Sequence, residues 1–526
     1  MTLVFDICKT NKKAVVFSEK LEVVHESSEL LPETVDEDGD PCEDLDLLCH
    51  WTDEQLATLT SQYPIDRVNF STYGASFVYV DADGRPTAPL YNYLKAIDTS
   101  WLTEVYREHG GPQAFHANVG SPPLGALNSG FQVEWFRRTR PEAFAKTCYA
   151  LHLPQYLSYR LTGRATSDFT SVGCHTALWD FPRNRYHDWV VKTGLLSVLP
   201  LPQRPILVER LRPTHVQNIE QSGYSQQLDS NGHRHGRDGT DKLRHVRNTE
   251  QSMPGQQPRS SAKLTVVRAA GEPVGVTNVD QPGFDDTFGE RTVPSTEARD
   301  IRSESLLIGS GVHDSSAALV PYLARYADPF VLLSTGTWAI ALNPWNHEPL
   351  TTYELSRDCL TFMQPDGSPV KASRLFLGFE HDAQVHKLTA AYGVARDAYK
   401  RVAYSRKLDP VGRPPSLAFT HLHSSLRAKR IQPVTDATFE QAYHRLVREL
   451  VDLQLSQLDL VVARKELRLL IVDGGFSKNT LFVTMLSDAY PHARIELSAT
   501  GNGSALGAAI LVNNPERFVR PEATTA

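Results

Sequence analysis

Long apolar runs are missing from this 526-residue sequence. The longest, around 306–308 and 469–472, fall far short of the roughly 20 residues that cross a bilayer, which argues against an integral membrane protein. Cysteine is scarce as well: Cys8, Cys42, Cys49, Cys148, Cys174 and Cys359 are scattered without a CxxC pair, the pattern of reduced thiols rather than of a disulfide frame or zinc site. Basic excess is absent. The 54 Lys and Arg face 61 Asp and Glu, for a net charge of −7, so no global field draws the chain to nucleic acid or an anionic membrane. The first nine residues meet a carboxylate at Asp6 and lack a basic segment followed by an apolar one, so no secretory signal is expected. These absences predict a cytoplasmic protein that binds neither nucleic acid nor membrane. Any polyanionic ligand has to be held by a local site.

What is present is an ordinary globular composition, 41% hydrophobic and 22% charged, over a length that suits two to four domains. Apolar strands at 3–6, 14–17 and 21–25 read as a β-meander, followed by a helix near 52–61 and strands at 68–70 and 76–80. Helical patterns follow at 98–109, 124–138, 142–151 and 154–161. From 221 to 262 the composition changes: six apolar residues in 42 cannot bury enough surface to offset ordering entropy, so a disordered insertion or a stretch of non-coding origin is expected. A second α/β half opens near 305, with strands at 306–308, 330–333, 338–342, 469–472 and 494–497. Its helices are expected at 315–325, 435–463, 478–489 and 503–513. The division is therefore 1–203, an atypical bridge 204–302, and 303–526, with a ligand cleft between two α/β halves.

Three turns have the composition to cradle phosphate, which backbone N–H groups do when small residues permit close approach. They are Asp6-Ile-Cys-Lys-Thr-Asn11, Ser334-Thr-Gly-Thr337, and Asp473-Gly-Gly-Phe-Ser-Lys-Asn479. Each alone reads equally as an ordinary turn. Their order resembles the phosphate-1, phosphate-2 and adenosine motifs of the actin and hexokinase ATPase fold. With Ser71-Thr-Tyr-Gly-Ala75, Leu127-Asn-Ser-Gly-Phe-Gln132, the 152–163 segment, Gly311-Val-His-Asp-Ser-Ser-Ala-Ala-Leu319 and Ala505-Leu-Gly-Ala-Ala509, the chain is similar to FGGY-family carbohydrate kinases. The His-Asp pair at 313–314 is closest to the rhamnulokinase branch.

The resemblance implies an α/β, two-domain actin/hexokinase-type (RNase H-like) fold with an interdomain cleft. It also implies ATP-dependent phosphorylation of a ketose or 6-deoxyketose such as L-rhamnulose, with ATP and Mg²⁺ as cofactors and a small sugar as partner. Monomer and homodimer both stay open. Asp314 is then the base for the sugar hydroxyl, though Asp314 by itself reads as a helix cap. Asp6 holds Mg²⁺ through water. Lys9, Thr10, Asn11, Gly336, Thr337, Gly474, Gly475 and Asn479 join Asp6 around ATP. Gly74, His313, Asn128 and Gln132 face the sugar, the last two equally being polar positions of a helix.

Two departures stand out. Cys8 occupies a position where the family has Gly, and if that position needs φ > 0 a Cβ costs about 1 kcal/mol. The bridge 204–302 is longer than the family's and unrelated in its middle. Both motivate an alternative, a sugar- or nucleotide-binding regulator without turnover. Kinases of L-fuculose, xylulose or ribulose are further alternatives. An actin-like polymer would not need the Tyr73-Gly74 and His313-Asp314 segments.

Overall fold

The computed structural model describes residues 1–9, 11–203, 306–422, 424–432, 435–498 and 501–518, with the backbone of short strands at 209–210, 264–267 and 275–278. The insertion expected at 221–262 and most of the bridge lie outside the described residues.

Two sheets share one plan. In the first, β1 (Thr2–Ile7), β2 (Lys12–Phe17) and β3 (Val23–Glu29) form an antiparallel meander. Strand β4 (Arg67–Thr72) lies parallel to β1 on its other side, and β5 (Leu307–Ile308) and β6 (Val312–His313) both pair parallel to β4. Because β1 is central, both its faces are covered, which explains a nearly unbroken buried run instead of alternation. In the second sheet, β7 (Val331–Thr335), β8 (Ala339–Asn343), β9 (Cys359–Met363) and β10 (Pro369–Leu375) are antiparallel in the order β7-β8-β10-β9. Strands β11 (Leu469–Gly474) and β12 (Arg494–Leu497) extend it in parallel from β7.

The long helix is Phe439–Val461, capped by the Thr438 hydroxyl, which accepts from Gln441 N–H at 3.3 Å. Its apolar face, Phe439, Tyr443, Leu446 and Leu450, is buried against the second sheet, while Leu453 is half-buried at its margin. The helix Gly503–Asn513 crosses to the first sheet, where Ala505, Ala508 and Ala509 pack on Val4, Val15 and Phe17. Asn69 Nδ2 donates to Ala508 O at 2.8 Å and locks that seam. The helix thereby places residues from the far end of the chain beside Asp6.

Several expected helices are shorter. The segment read as 142–151 is helical only over Pro141–Lys146, and Tyr149–His152 is a strand paired with Phe77–Val80, because the free edge of that strand outweighs local propensity. The helix expected at 315–325 is two pieces, Asp314–Ala317 and Val320–Arg325, divided where Pro321 lacks an N–H to continue the ladder. The one expected from 124 begins at Ser129, after a 3₁₀ turn, and the one expected from 478 begins at Thr480. Among the described residues no helix is long and apolar enough to cross a membrane.

Candidate active site

The first sheet brings Asp6 and Asp314 near each other from the two halves of the sequence. Asp6 sits near the C-terminal end of β1, 4% exposed; its Oδ2 accepts from Ser504 Oγ at 2.9 Å and its Oδ1 has no partner. Burial and the neighbouring Asp314 charge push its carboxyl up to about 6. Asp314 follows β6 and opens the helix Asp314–Ala317, its side chain 26% exposed. Burial raises it to about 6 as well, against opposing hydrogen bonds from Ser315 N–H and Oγ at 2.5 and 3.2 Å. The capping role that the sequence left open for Asp314 is not taken: the N-cap is His313, without a side-chain cap bond.

The strand bearing His313 is held by a relay. Asp168 accepts from Thr170 N–H and Ser171 N–H at 2.9 and 3.0 Å and also bonds the Thr170 hydroxyl. Thr170 Oγ1 in turn accepts from His313 N–H at 3.0 Å. Gln155 Nε2 donates to Asp168 and to the carbonyls of Ser310 and Gly311 at 2.9, 3.3 and 3.2 Å. Gly311 is required here, with φ +82° and Pro154 O only 2.5 Å from where a Cβ would stand. His313 is 3% exposed, its Nε2 lies 3.3 Å from Asp314 Oδ1, and burial lowers its pKa to about 4, so the ring is neutral at pH 7.

Gly74 belongs to this cluster: a Cβ on it would stand 2.9 Å from the His313 ring. Gln132 is buried with both amide atoms unpartnered. Asn128, expected to face the sugar, is instead consumed by the fold. Its Nδ2 donates to Ser121 Oγ and His175 O at 3.0 and 2.9 Å, and its Oδ1 accepts from Leu124 N–H at 2.6 Å.

The first hairpin turn is closed by Cys8 N–H donating to Asn11 O at 2.9 Å. Cys8 is not among the non-glycine residues with positive φ, so its Cβ brings no left-handed strain, and the cost expected of replacing glycine does not arise. Burial, with the Asp6 and Asp314 charges, pushes the Cys8 thiol well up. Lys9, expected at phosphate, instead pairs with Glu33 at 2.5 Å and reaches Glu43 at 3.9 Å, because two carboxylates stand on that side of the turn. Thr10 lies outside the described residues.

The nucleotide residues assemble on the second sheet. Gly336 and Thr337 form the β7–β8 turn, where Gly336 N–H donates to Trp338 O at 2.8 Å. Gly474 ends β11 at φ +84°, and a Cβ there would stand 1.8 Å from Thr335 O, so only glycine lets the two strand ends approach. Gly336, Thr337, Gly475 and Asn479 line one cleft of about 840 Å³, within the range of small-molecule sites. Asn479 does not reach freely: its Oδ1 caps the helix Thr480–Ala489 from Phe482 N–H at 3.2 Å and its Nδ2 donates to Tyr443 Oη at 2.9 Å.

Other lining residues escaped the sequence reading. Arg396 and Lys400 bring positive charge to the cleft, and Tyr399, Tyr443 and Phe476 give it aromatic walls. Ser504, the partner of Asp6, stands just before the Ala505–Ala509 segment, but its role depends on a helix crossing between sheets. Thr170 and Asp168 had no local signal, and Gln155 was read only as part of the 152–163 segment, since all three act through tertiary contacts.

The geometry has parallels. A family described as "FGGY family of carbohydrate kinases, N-terminal domain" matches residues 1–203, and "Carbohydrate kinase FGGY, C-terminal domain" matches residues 327–521. A gluconokinase of Bacillus subtilis is 24% identical over 174 residues, 31% of this chain and 32% of that protein, so the match spans about a third of that relative. A carbohydrate kinase structure from Novosphingobium aromaticivorans has a TM-score of 0.71 at 20% identity, covering 99% of this chain and 94% of that one. A ligand-bound xylulose kinase from Lactobacillus acidophilus has a TM-score of 0.69 at 13% identity, covering 99% and 91%. These likenesses establish the expected fold, the two-domain α/β ATPase architecture of the actin and hexokinase type.

Proposed function

This chain belongs to the FGGY family of carbohydrate kinases, and from that premise we propose that it transfers the γ-phosphoryl group of ATP to a hydroxyl of a small sugar. One observation carries the reading: the buried carboxylate of Asp6 and the half-buried one of Asp314, both raised to about 6, stand near a neutral His313 packed on Gly74.

Asp314 takes the sugar hydroxyl's proton as the oxygen attacks phosphorus, and its raised pKa of about 6 sets it near the operating pH, where a general base works best. His313, neutral and fixed by Thr170, offers a ring nitrogen to a sugar hydroxyl. Gly336, Thr337 and Gly475 present backbone to phosphate and nucleoside across the cleft, and Arg396 and Lys400 balance phosphate charge.

The Asp6 side of the site fits a divalent ion: Oδ1 is buried without a partner and feels the Asp314 charge, an imbalance that a hard cation relieves. Mg²⁺, held there by Asp6 through water, would neutralise charge on the transferred phosphoryl.

For the sugar, the resemblance of the His313-Asp314 pair to the rhamnulokinase branch favours a ketose or 6-deoxyketose such as L-rhamnulose; the names of the similar proteins keep xylulose as a rival and add gluconate. The regulator alternative loses one of its two motives, since Cys8 has no positive φ. Division into 1–203, 204–302 and 303–526 and a cytoplasmic setting complete the reading. The test is ADP release with Mg-ATP across L-rhamnulose, L-fuculose, L-ribulose, D-xylulose and gluconate. Turnover of one sugar well above the ATP-only rate is expected; no acceleration by any sugar or polyol defeats the proposal.

A further inference from the structure

Among the described residues, Cys174, His175 and His313 form a group of three buried side chains whose ligating atoms all lie within 4.8 Å of one another. They come from separate segments: Cys174 and His175 follow the short helix Phe169–Val172, and His313 ends β6. Two features point to a ligand rather than to packing alone. His175 Nδ1 lies 2.9 Å from Leu127 O and must donate to it, which fixes the tautomer with a lone pair on Nε2, the arrangement of metal-bound imidazoles. His313, 3% exposed, keeps its Nδ1 sealed from water without a partner. The third side chain, Cys174, is also fully enclosed, with Sγ 3.1 Å from Ser171 O.

We propose that Cys174, His175 and His313 bind a thiophilic divalent cation of the Zn²⁺ class, and that its binding inhibits the enzyme. One thiolate and two imidazoles are the donor set that zinc favours and that Mg²⁺, which demands oxygen, does not. Tetrahedral zinc holds such atoms about 3.3–3.6 Å apart, so the group closes by roughly 1 Å on binding. The Cys174 thiol releases its proton to solvent as the metal–sulfur bond forms. A fourth position remains for water. The absence of a CxxC pair is no obstacle, since the ligands meet only in the fold. Inhibition rests on the proposed function, because it withdraws His313 from the sugar; cation binding does not.

The test uses the full chain freed of metal, titrated with Co²⁺ as a spectroscopic substitute for zinc. Wild type is expected to develop a thiolate-to-cobalt charge-transfer band at one cation per chain, lost in Cys174→Ser. In Mg-ATP assays with ADP read by chromatography, Zn²⁺ is expected to inhibit wild type, with recovery on adding a zinc-selective chelator. Cys174→Ser keeps its zinc-free activity and needs at least 10-fold more Zn²⁺ for the same inhibition. If Cys174→Ser does not fold, His175→Gln, which keeps the thiol, must weaken Co²⁺ binding at least 10-fold. No band in wild type, or equal zinc sensitivity in both proteins, overturns the proposal. A band without inhibition keeps the cation site and refutes the role given to His313.

Discussion

On the nucleotide side of the site, turns of the second sheet carry their own hydrogen bonds: Gly336 N–H is met by Trp338 O, and Asn479 is occupied as a helix cap. On the transfer side, Asp6 Oδ1, His313 Nδ1 and both amide atoms of Gln132 are buried without partners, and two carboxylates are raised to about 6. The first region is organised before any ligand arrives and recognises by shape and backbone. The second holds polar groups and charge that its own residues leave unbalanced, which is where a cation and a polar substrate gain most.

The strongest way to break this contrast is Asp314→Asn, which removes the base while leaving the second sheet untouched. A loss of about 10² to 10⁴ in kcat is expected with nucleotide affinity nearly unchanged, read by ADP release and by titration of a non-hydrolysable ATP analogue. Next comes Gly474→Ala, which acts on the other side. Its Cβ meets Thr335 O at φ +84°, a strain of about 1–3 kcal/mol, so nucleotide affinity should fall by roughly tenfold or more and the melting temperature should drop. A smaller effect of opposite sign is expected from Asp6→Asn in thermal unfolding. The folded-state pKa of Asp6 is raised from 3.8 to about 6, so the stability linked to its protonation is present at low pH and lost as pH rises through about 6. At pH 8 the variant should melt a few degrees higher than wild type, and the gap should close towards pH 4. The smallest is Cys8→Gly: with no left-handed strain to relieve, kcat/KM for ATP should stay within about twofold, and iodoacetamide should label Cys8 slowly at neutral pH because its thiol is pushed up.

How much of this the sequence discloses differs between the same two regions. The strand and turn that carry Gly336, Thr337, Gly474 and Gly475 are legible because apolar runs and glycine-rich turns are local signals. The strand Pro369–Leu375 was not, since Lys371 and Arg374 interrupt its apolar pattern and are buried by pairing with Glu354 and Asp358, both at 2.8 Å. On the transfer side, Asp6, Gly74, His313 and Asp314 were readable as motif members, and so were Asn128 and Lys9, but motif membership does not fix a side chain's partners. Whether an amide or an ammonium is free for a ligand depends on partners distant in sequence: Ser121 and His175 for Asn128, Glu33 and Glu43 for Lys9. Ser504 and Thr170 were invisible for the same reason.

The most direct measurement is the pH dependence of kcat/KM for the sugar, taken alongside the dissociation constant of the ATP analogue. A base raised to about 6 must be unprotonated to act, so kcat/KM should fall about tenfold per pH unit below pH 6, more steeply if Asp6 must also be charged, while nucleotide binding stays flat. A flat kcat/KM down to pH 5, or a fall matched by lost nucleotide affinity, would contradict the division between an unbalanced transfer side and a satisfied nucleotide side.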